Sequence, residues 1–130
     1  MRILSIETSC DETSLAFAEA TGGLKAPKFA IKKHLIASQI EIHRPWGGVV
    51  PNLAKREHTK NLPILFRKIF GISKSKSLNP KQIQNSKSKI PNIDLIAVTV
   101  GPGLEPCLWQ GIEFAKQTQK EHFPKAKIIP

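Results

Sequence analysis

The run Ile93 to Val100, IDLIAVTV, constrains this chain most. A nearly continuous β-branched stretch of this kind belongs to a strand covered on both faces, which in turn implies parallel neighbours and flanking helices. We therefore expect it to be the central parallel strand of a sheet. Gly101-Pro102-Gly103 follows at once, a turn by composition. Beyond it Leu108, Ile112 and Ala115 share one face at helical spacing, predicting a helix from about Glu105 to His122. Ala126 to Ile129 (AKII) then reads as a further short strand. Strand, helix and strand in this order make an α/β architecture.

The amino-terminal half supplies the rest of such a sheet. Arg2 to Glu7 (RILSIE) and Thr13 to Ala20 (TSLAFAEA) alternate apolar and polar residues, as half-buried strands do, and only Thr8 to Glu12 separates them. They predict a hairpin. Gly22-Gly23 makes a second turn, and the alternating stretch KHLIASQIEI, residues 33–42, predicts a third antiparallel strand. After the loop His43-Arg44-Pro45-Trp46-Gly47-Gly48, the apolar positions Leu53, Leu62, Leu65, Phe66, Ile69 and Phe70 predict a helix from near Pro51 to Phe70, ended by Gly71. Pro63 lies inside it and removes one backbone donor, so a kink or break is expected there. Three strands, helix, strand, helix, strand is the order of a ribonuclease H-like lobe: a five-stranded mixed sheet with two helices.

A length of 130 residues and 40% hydrophobic content suit a single folded lobe over 1–130. Residues 73–90 are the exception. They are rich in Ser, Lys and Asn with no acid, which predicts a mobile insertion. No aromatic residue is available in it to stack on a base, so a solvated loop fits better than an RNA-binding arm. A formal net charge of +10 suits a polyanionic partner such as RNA, although charge alone also fits plain solubility. Two distant cysteines, Cys10 and Cys107, and the lack of a signal peptide or long apolar run point to a reduced, cytoplasmic protein without a membrane span.

The first hairpin loop carries the most chemistry. Hydroxyls of Thr8, Ser9 and Thr13 and the backbone around them can meet phosphate oxygens, and a carboxylate beside them can hold a metal or accept a proton. Asp11 and Glu12 are the candidates for that role, because Glu7 falls at the strand end. An ordinary polar turn has the same composition. Gly101 and Gly103 sit between strand and helix, where backbone can approach an anion, and a tight structural turn would look alike. Glu105 fits a dipole-compensating position in the first helical turn. His34, His43, His58 and His122 lack the close spacing of metal ligands, and no histidine is near Ser9, Cys10 or Thr13 in sequence to activate a nucleophile.

MRILSIETSCDETS closely resembles the opening of the TsaD family of tRNA threonylcarbamoyladenosine transferases, once described as glycoproteases. Three further blocks agree in order: Trp46-Gly47-Gly48-Val49-Val50-Pro51-Asn52-Leu53-Ala54 with Arg56 and His58, then Ile93 to Thr99, then Gly101-Pro102-Gly103-Leu104. The resemblance implies an actin-like, sugar-kinase-like ATPase fold of two ribonuclease H-like lobes. It implies transfer of threonylcarbamoyl from threonylcarbamoyl-adenylate to N6 of the adenosine 3′ of the anticodon, with protein partners completing the machinery. The catalytic acids would be Asp11 and Glu12, and Thr8, Ser9, Thr13, Gly101 and Gly103 would contact nucleotide or phosphate.

The family also binds an iron or zinc ion through a His-x-x-x-His pair and a later aspartate. The pair normally follows the strand that here reads Ile128-Ile129-Pro130, and this sequence has neither it nor the second lobe. We therefore expect an amino-terminal part of such a protein, binding no metal by itself and inactive alone. Gln117 to Lys125 is polar where the family is apolar, which predicts weak packing at that end of the second helix. Two other readings fit: a non-catalytic partner-binding module, and the shorter paralogous partner of the same complex. Ser9-Cys10-Asp11-Glu12-Thr13 and the Gly-Gly-Val-Val-Pro block favour the catalytic member over the paralogue.

Overall fold

A computed structural model describes residues 1–23, 25–72 and 90–130. The chain forms β1 (Arg2–Glu7), β2 (Glu12–Thr21), β3 (Lys28–Ser38), a short helix α1 (Ile40–His43), a 3-10 turn (Arg44–Trp46), α2 (Pro51–Ile69), β4 (Leu95–Val98), α3 (Glu105–His122) and β5 (Lys127–Ile129). The five strands lie in the order β3-β2-β1-β4-β5. β1 pairs antiparallel with β2 and parallel with β4, β2 antiparallel with β3, and β4 parallel with β5. This mixed sheet is the ribonuclease H-like lobe expected from the element order.

One face of the sheet carries the core. In register, Leu4 lies beside Ile96 and Ile6 beside Val98, while Leu15 of β2 faces Ile6. All five are buried, and α2 and α3 pack over them and against each other. Ala54, His58, Leu62, Leu65, Phe66 and Ile69 form the buried stripe of α2, at the i, i+4, i+8, i+11 rhythm that puts side chains on one helix face. Burial of these apolar groups is the main source of stability.

Several details differ from the sequence expectation. β4 is the central one of the three parallel strands, but β1 is the middle strand of the whole sheet, because β2 and β3 stack outward from the hairpin. In β4 only Ile96 and Val98 are buried, and Leu95 and Ala97 are half-exposed, since both long helices cover the same side. The third strand starts earlier and stops at Ser38, and its neighbour Gln39 is buried inward, turning Ile40–His43 into a helix of one turn. The two expected helices thus become three. α2 runs unbroken through Pro63: one missing bond does not outweigh the buried residues on both sides of it. The predicted insertion at 73–90 lies, except for Ile90, outside the described residues.

α2 ends as the glycine at position 71 leads one to expect. Gly71 takes φ 66°, its N–H donates to Lys68 O, and the Ile72 N–H reaches back to Arg67 O at 2.8 Å. This paired pattern satisfies the last carbonyls of the helix. The carboxy-terminal turn of α3 packs better than its polar sequence suggests. Thr118 and Phe123 are buried, Gln119 donates to Ala126 O at 2.6 Å, and His122 stacks on Phe66 at 5.1 Å.

Candidate functional site

The loop between β1 and β2 is held from three sides. Three successive carbonyls each accept from a different element: Ser9 O from Leu104 N at 2.7 Å, Cys10 O from His58 Nε2 at 3.0 Å, and Asp11 O from Gln39 N at 3.0 Å. α3 with its preceding turn, α2, and the end of β3 therefore fix the backbone that presents Asp11 and Glu12. Asp11 is half-buried and Glu12 exposed.

Close packing explains two glycines. At Gly103 an added Cβ would lie 2.6 Å from Ser9 O, so only glycine lets the turn lie against the loop. At Gly111 on α3 a Cβ would sit 2.5 Å from Thr8 Oγ1, whose hydroxyl donates to Cys107 O at 2.9 Å. Gly101 is exposed and uncrowded. The hydroxyls of Thr8 and Thr13 are turned inward and bonded within the lobe. Thr8 is 1% and Thr13 0% exposed. Thr13 Oγ1 lies 2.8 Å from His58 Nδ1, a pairing of hydroxyl and imidazole that resembles an activated nucleophile. Both are buried, and the pair serves structure.

Glu7 has a larger part than its place at a strand end suggested. Its carboxylate accepts from Ser9 N–H at 2.6 Å and from the Thr99 hydroxyl, tying the loop to the end of β4. Burial pushes this carboxyl up, but the bonds from Ser9 and Thr99 and the nearby His58 outweigh it and hold it below its ordinary value. Burial is the main reason that His58 is pushed below the usual histidine value, against the pull of Cys10 O, Glu7 and Asp11. The Cys10 thiol is pushed up by burial and by Asp11 and Glu12.

An open depression of about 480 Å³ lies at the carboxyl ends of the parallel strands, lined by Ser5, Glu7, Ser14, Ala97, Thr99 and Gly101 among others. Ligands of open α/β sheets bind at such strand ends. Neither this depression nor a groove of about 510 Å³ between α2 and α3, lined by Leu62, Phe66 and Phe114, contains a residue of the loop between β1 and β2. Among the described residues no three of His, Cys, Asp and Glu come together as a metal site. No described helix is long and apolar enough to cross a membrane.

Residues 30–122 match the family described as TsaD, tRNA N6-adenosine threonylcarbamoyltransferase. The chain belongs to this family. It is similar to the tRNA N6-adenosine threonylcarbamoyltransferase of Fervidobacterium nodosum, 44% identical over 116 residues, covering 89% of this chain and 28% of that protein. The family member of Prochlorococcus marinus strain MIT 9312 is 44% identical over 110 residues, 85% of this chain and 26% of its own length. That of Thermosipho africanus is 44% identical over 116 residues, 89% and 29%. The chain thus spans under a third of the length of these curated relatives. Membership accounts for the ribonuclease H-like lobe as one lobe of the family's actin-like fold.

The structure brings Ser9 and Gly103 into contact, with Asp11 on the same loop, Glu12 opening β2 and Gly101 at the rim of the depression. Sequence reasoning missed Glu7, Gln39, His43, His58 and Thr99. One signal was available for His58: it falls on the otherwise apolar stripe of α2, four residues from Ala54 and four from Leu62.

Proposed function

We propose that this chain forms one wall of the nucleotide site of a tRNA threonylcarbamoyltransferase in the cytoplasm. The reaction is attack of adenosine N6 on the carbamoyl carbonyl of threonylcarbamoyl-adenylate, with adenylate leaving. Asp11 and Glu12 are the catalytic acids. One accepts the proton that the amine loses, since an exocyclic amine is a weak nucleophile that gains from a positioned base. Ser9, Gly101, Gly103 and the backbone of Thr8 and Thr13 serve phosphate, next to the amino-terminal end of α3. A tRNA substrate suits the net charge of +10. Iron or zinc and protein partners belong to the complete machinery, and the lobe alone is inactive because adenylate would be held from one side only.

The observation that carries this reading is the convergence of the acid-bearing loop and the Gly-Pro-Gly turn, joined through Ser9 O, in a chain whose relatives are named for this transfer. The test is a chimera in which this chain replaces the matching segment of the Fervidobacterium protein. The chimera should transfer threonylcarbamoyl to tRNA, and Asp11→Ala and Glu12→Ala should each lower the rate by about 100-fold or more with the fold retained. A fully active Asp11→Ala, Glu12→Ala double variant would sink the assignment. Transfer by the isolated chain would overturn its inactivity.

A further inference from the structure

Three buried polar side chains outside the acid loop form a directed chain between two backbone ends. Val50 N–H, in the stretch that begins at Gly47-Gly48, donates to His43 Nδ1 at 3.3 Å. His43 Nε2 lies 3.0 Å from Gln39 Oε1. The Gln39 amide nitrogen lies beside the His58 ring, 3.4 Å from Nδ1 and 3.5 Å from Nε2, and Thr13 Oγ1 approaches Nδ1 more closely, at 2.8 Å. His58 Nε2 meets Cys10 O at 3.0 Å. Gln39, His43 and His58 are 0%, 3% and 0% exposed.

The ends dictate every proton between them. A backbone N–H can only donate, so His43 Nδ1 carries no proton and His43 Nε2 donates to the Gln39 oxygen. The Gln39 amide nitrogen then points to His58. A backbone carbonyl can only accept, so His58 Nε2 carries a proton, and with burial favouring the neutral ring His58 Nδ1 is left as the acceptor for the Thr13 hydroxyl. Both imidazoles are neutral and share one tautomer. An inverted Gln39 amide would oppose two acceptors on one side and two donors on the other, so the amide has one orientation.

We propose that Gln39, His43 and His58 are positioning residues that couple the Gly-Gly-Val-Val segment to the acid-bearing loop. The backbone adds to the link, since Gln39 N–H also holds Asp11 O. The groups that face His58 are Glu7 of β1 and Asp11 of the loop, which favour a proton on it, and His43 of α1, which opposes one. Protonated His58 would place Nδ1–H against the Thr13 hydroxyl, forcing it to reverse, and beside the N–H groups of the Gln39 amide. Movement at one segment is thereby transmitted to the other. The bearing of this coupling on catalysis rests on the function proposed above, but the coupling itself does not.

Nitrogen-15 NMR of histidine-labelled protein tests it without any transfer assay. At neutral pH the wild-type chain should show the neutral Nε2–H pattern for both His43 and His58. Gln39→Glu keeps the shape but replaces the amide nitrogen by a carboxylate oxygen. It should convert His58 to the imidazolium, a change that a merely space-filling glutamine would not produce. Gln39→Leu should speed hydrogen exchange at the Val50 amide by about tenfold, with the Ile96 amide in the core unchanged. An Nδ1–H tautomer at either histidine, a neutral His58 in Gln39→Glu, or unaltered exchange at Val50 would overturn the coupling. The proposed transfer would still stand in that event, and failure of the chimera would leave these signatures untouched.

Discussion

α2 builds two unlike ends of the lobe. Its carboxy-terminal half brings Leu62, Leu65, Phe66 and Ile69 into an apolar cluster, in which Phe66 lies 5.0 Å from the Phe70 ring and 6.0 Å from Phe114. Its amino-terminal half brings Ala54 and His58 beneath the acid loop, where contacts are directional hydrogen bonds. Apolar burial scales with area and tolerates small shifts. A bond to a single carbonyl does not. The difference teaches that stability and site geometry are set by separate halves of one helix, so each should be removable with limited damage to the other.

Phe66→Ala should do the greatest harm. Emptying the centre of the aromatic cluster should cost roughly 3–5 kcal/mol, read as a fall in the urea midpoint with the slope preserved. If the ends are separate, the variant that remains folded keeps the tautomers of His43 and His58. Their loss at temperatures where the core amides stay protected would break the comparison.

Gly103→Ala strikes the other end. The new methyl would meet the backbone of Ser9, which cannot swing away as a flexible side chain can. We expect about 1–3 kcal/mol of destabilisation together with faster exchange of the Leu104 amide. The apolar end should be unmoved. Wild-type exchange at Leu104 in the Gly103→Ala variant would mean that the turn does not rest on the loop.

These two ends also differ in how far they could be read in advance. Period-two alternation located β1 and β2, and helical spacing located α2 and α3, because those patterns repeat along the chain and report burial directly. Gly71 marked the end of α2 through its left-handed φ. The bounds of β3 were harder: its first residues are exposed on both sides, so alternation carries no signal there. Gln39 shows why KHLIASQIEI misled, since a polar side chain that faces inward breaks the pattern of a strand. At the site, Ser9, Asp11, Glu12 and Gly103 were legible as turn chemistry. His58 was legible only as a polar break in the apolar stripe of α2, because its partners Thr13 and Cys10 lie 45 and 48 residues away and only the fold brings them near.

Acid should distinguish the ends again. His58 is harder to protonate in the folded chain than in the unfolded one, so the unfolded chain takes up the proton first as the pH drops below about 6.5. Stability is therefore whole above that pH and declines as the pH falls toward the lower folded value. Glu7, also held low, adds a second decline below about pH 4.3, because its contribution is present above the unfolded value and lost as the folded carboxyl protonates. Urea midpoints measured from pH 8 down to about pH 2 should show both limbs. A flat profile between pH 7 and 5.5 would remove His58 from the account.

The smallest effect concerns Cys10, which is exposed beside the acids. Burial of part of the thiol, a hydrogen bond with Asp11 and the charges of Asp11 and Glu12 all disfavour the thiolate, the form that reacts. Alkylation by iodoacetamide should therefore be slower than for a cysteine in an unstructured peptide, in spite of the exposure. Asp11→Asn should accelerate it by a factor of a few. Cys107 is buried and should stay unmodified until the chain unfolds, which separates a local change at the loop from general loosening. A rate at Cys10 that ignores Asp11→Asn would show that the carboxylate points away from the thiol, and the negative field assigned to this end of the lobe would have to come from Glu7 or Glu12 instead.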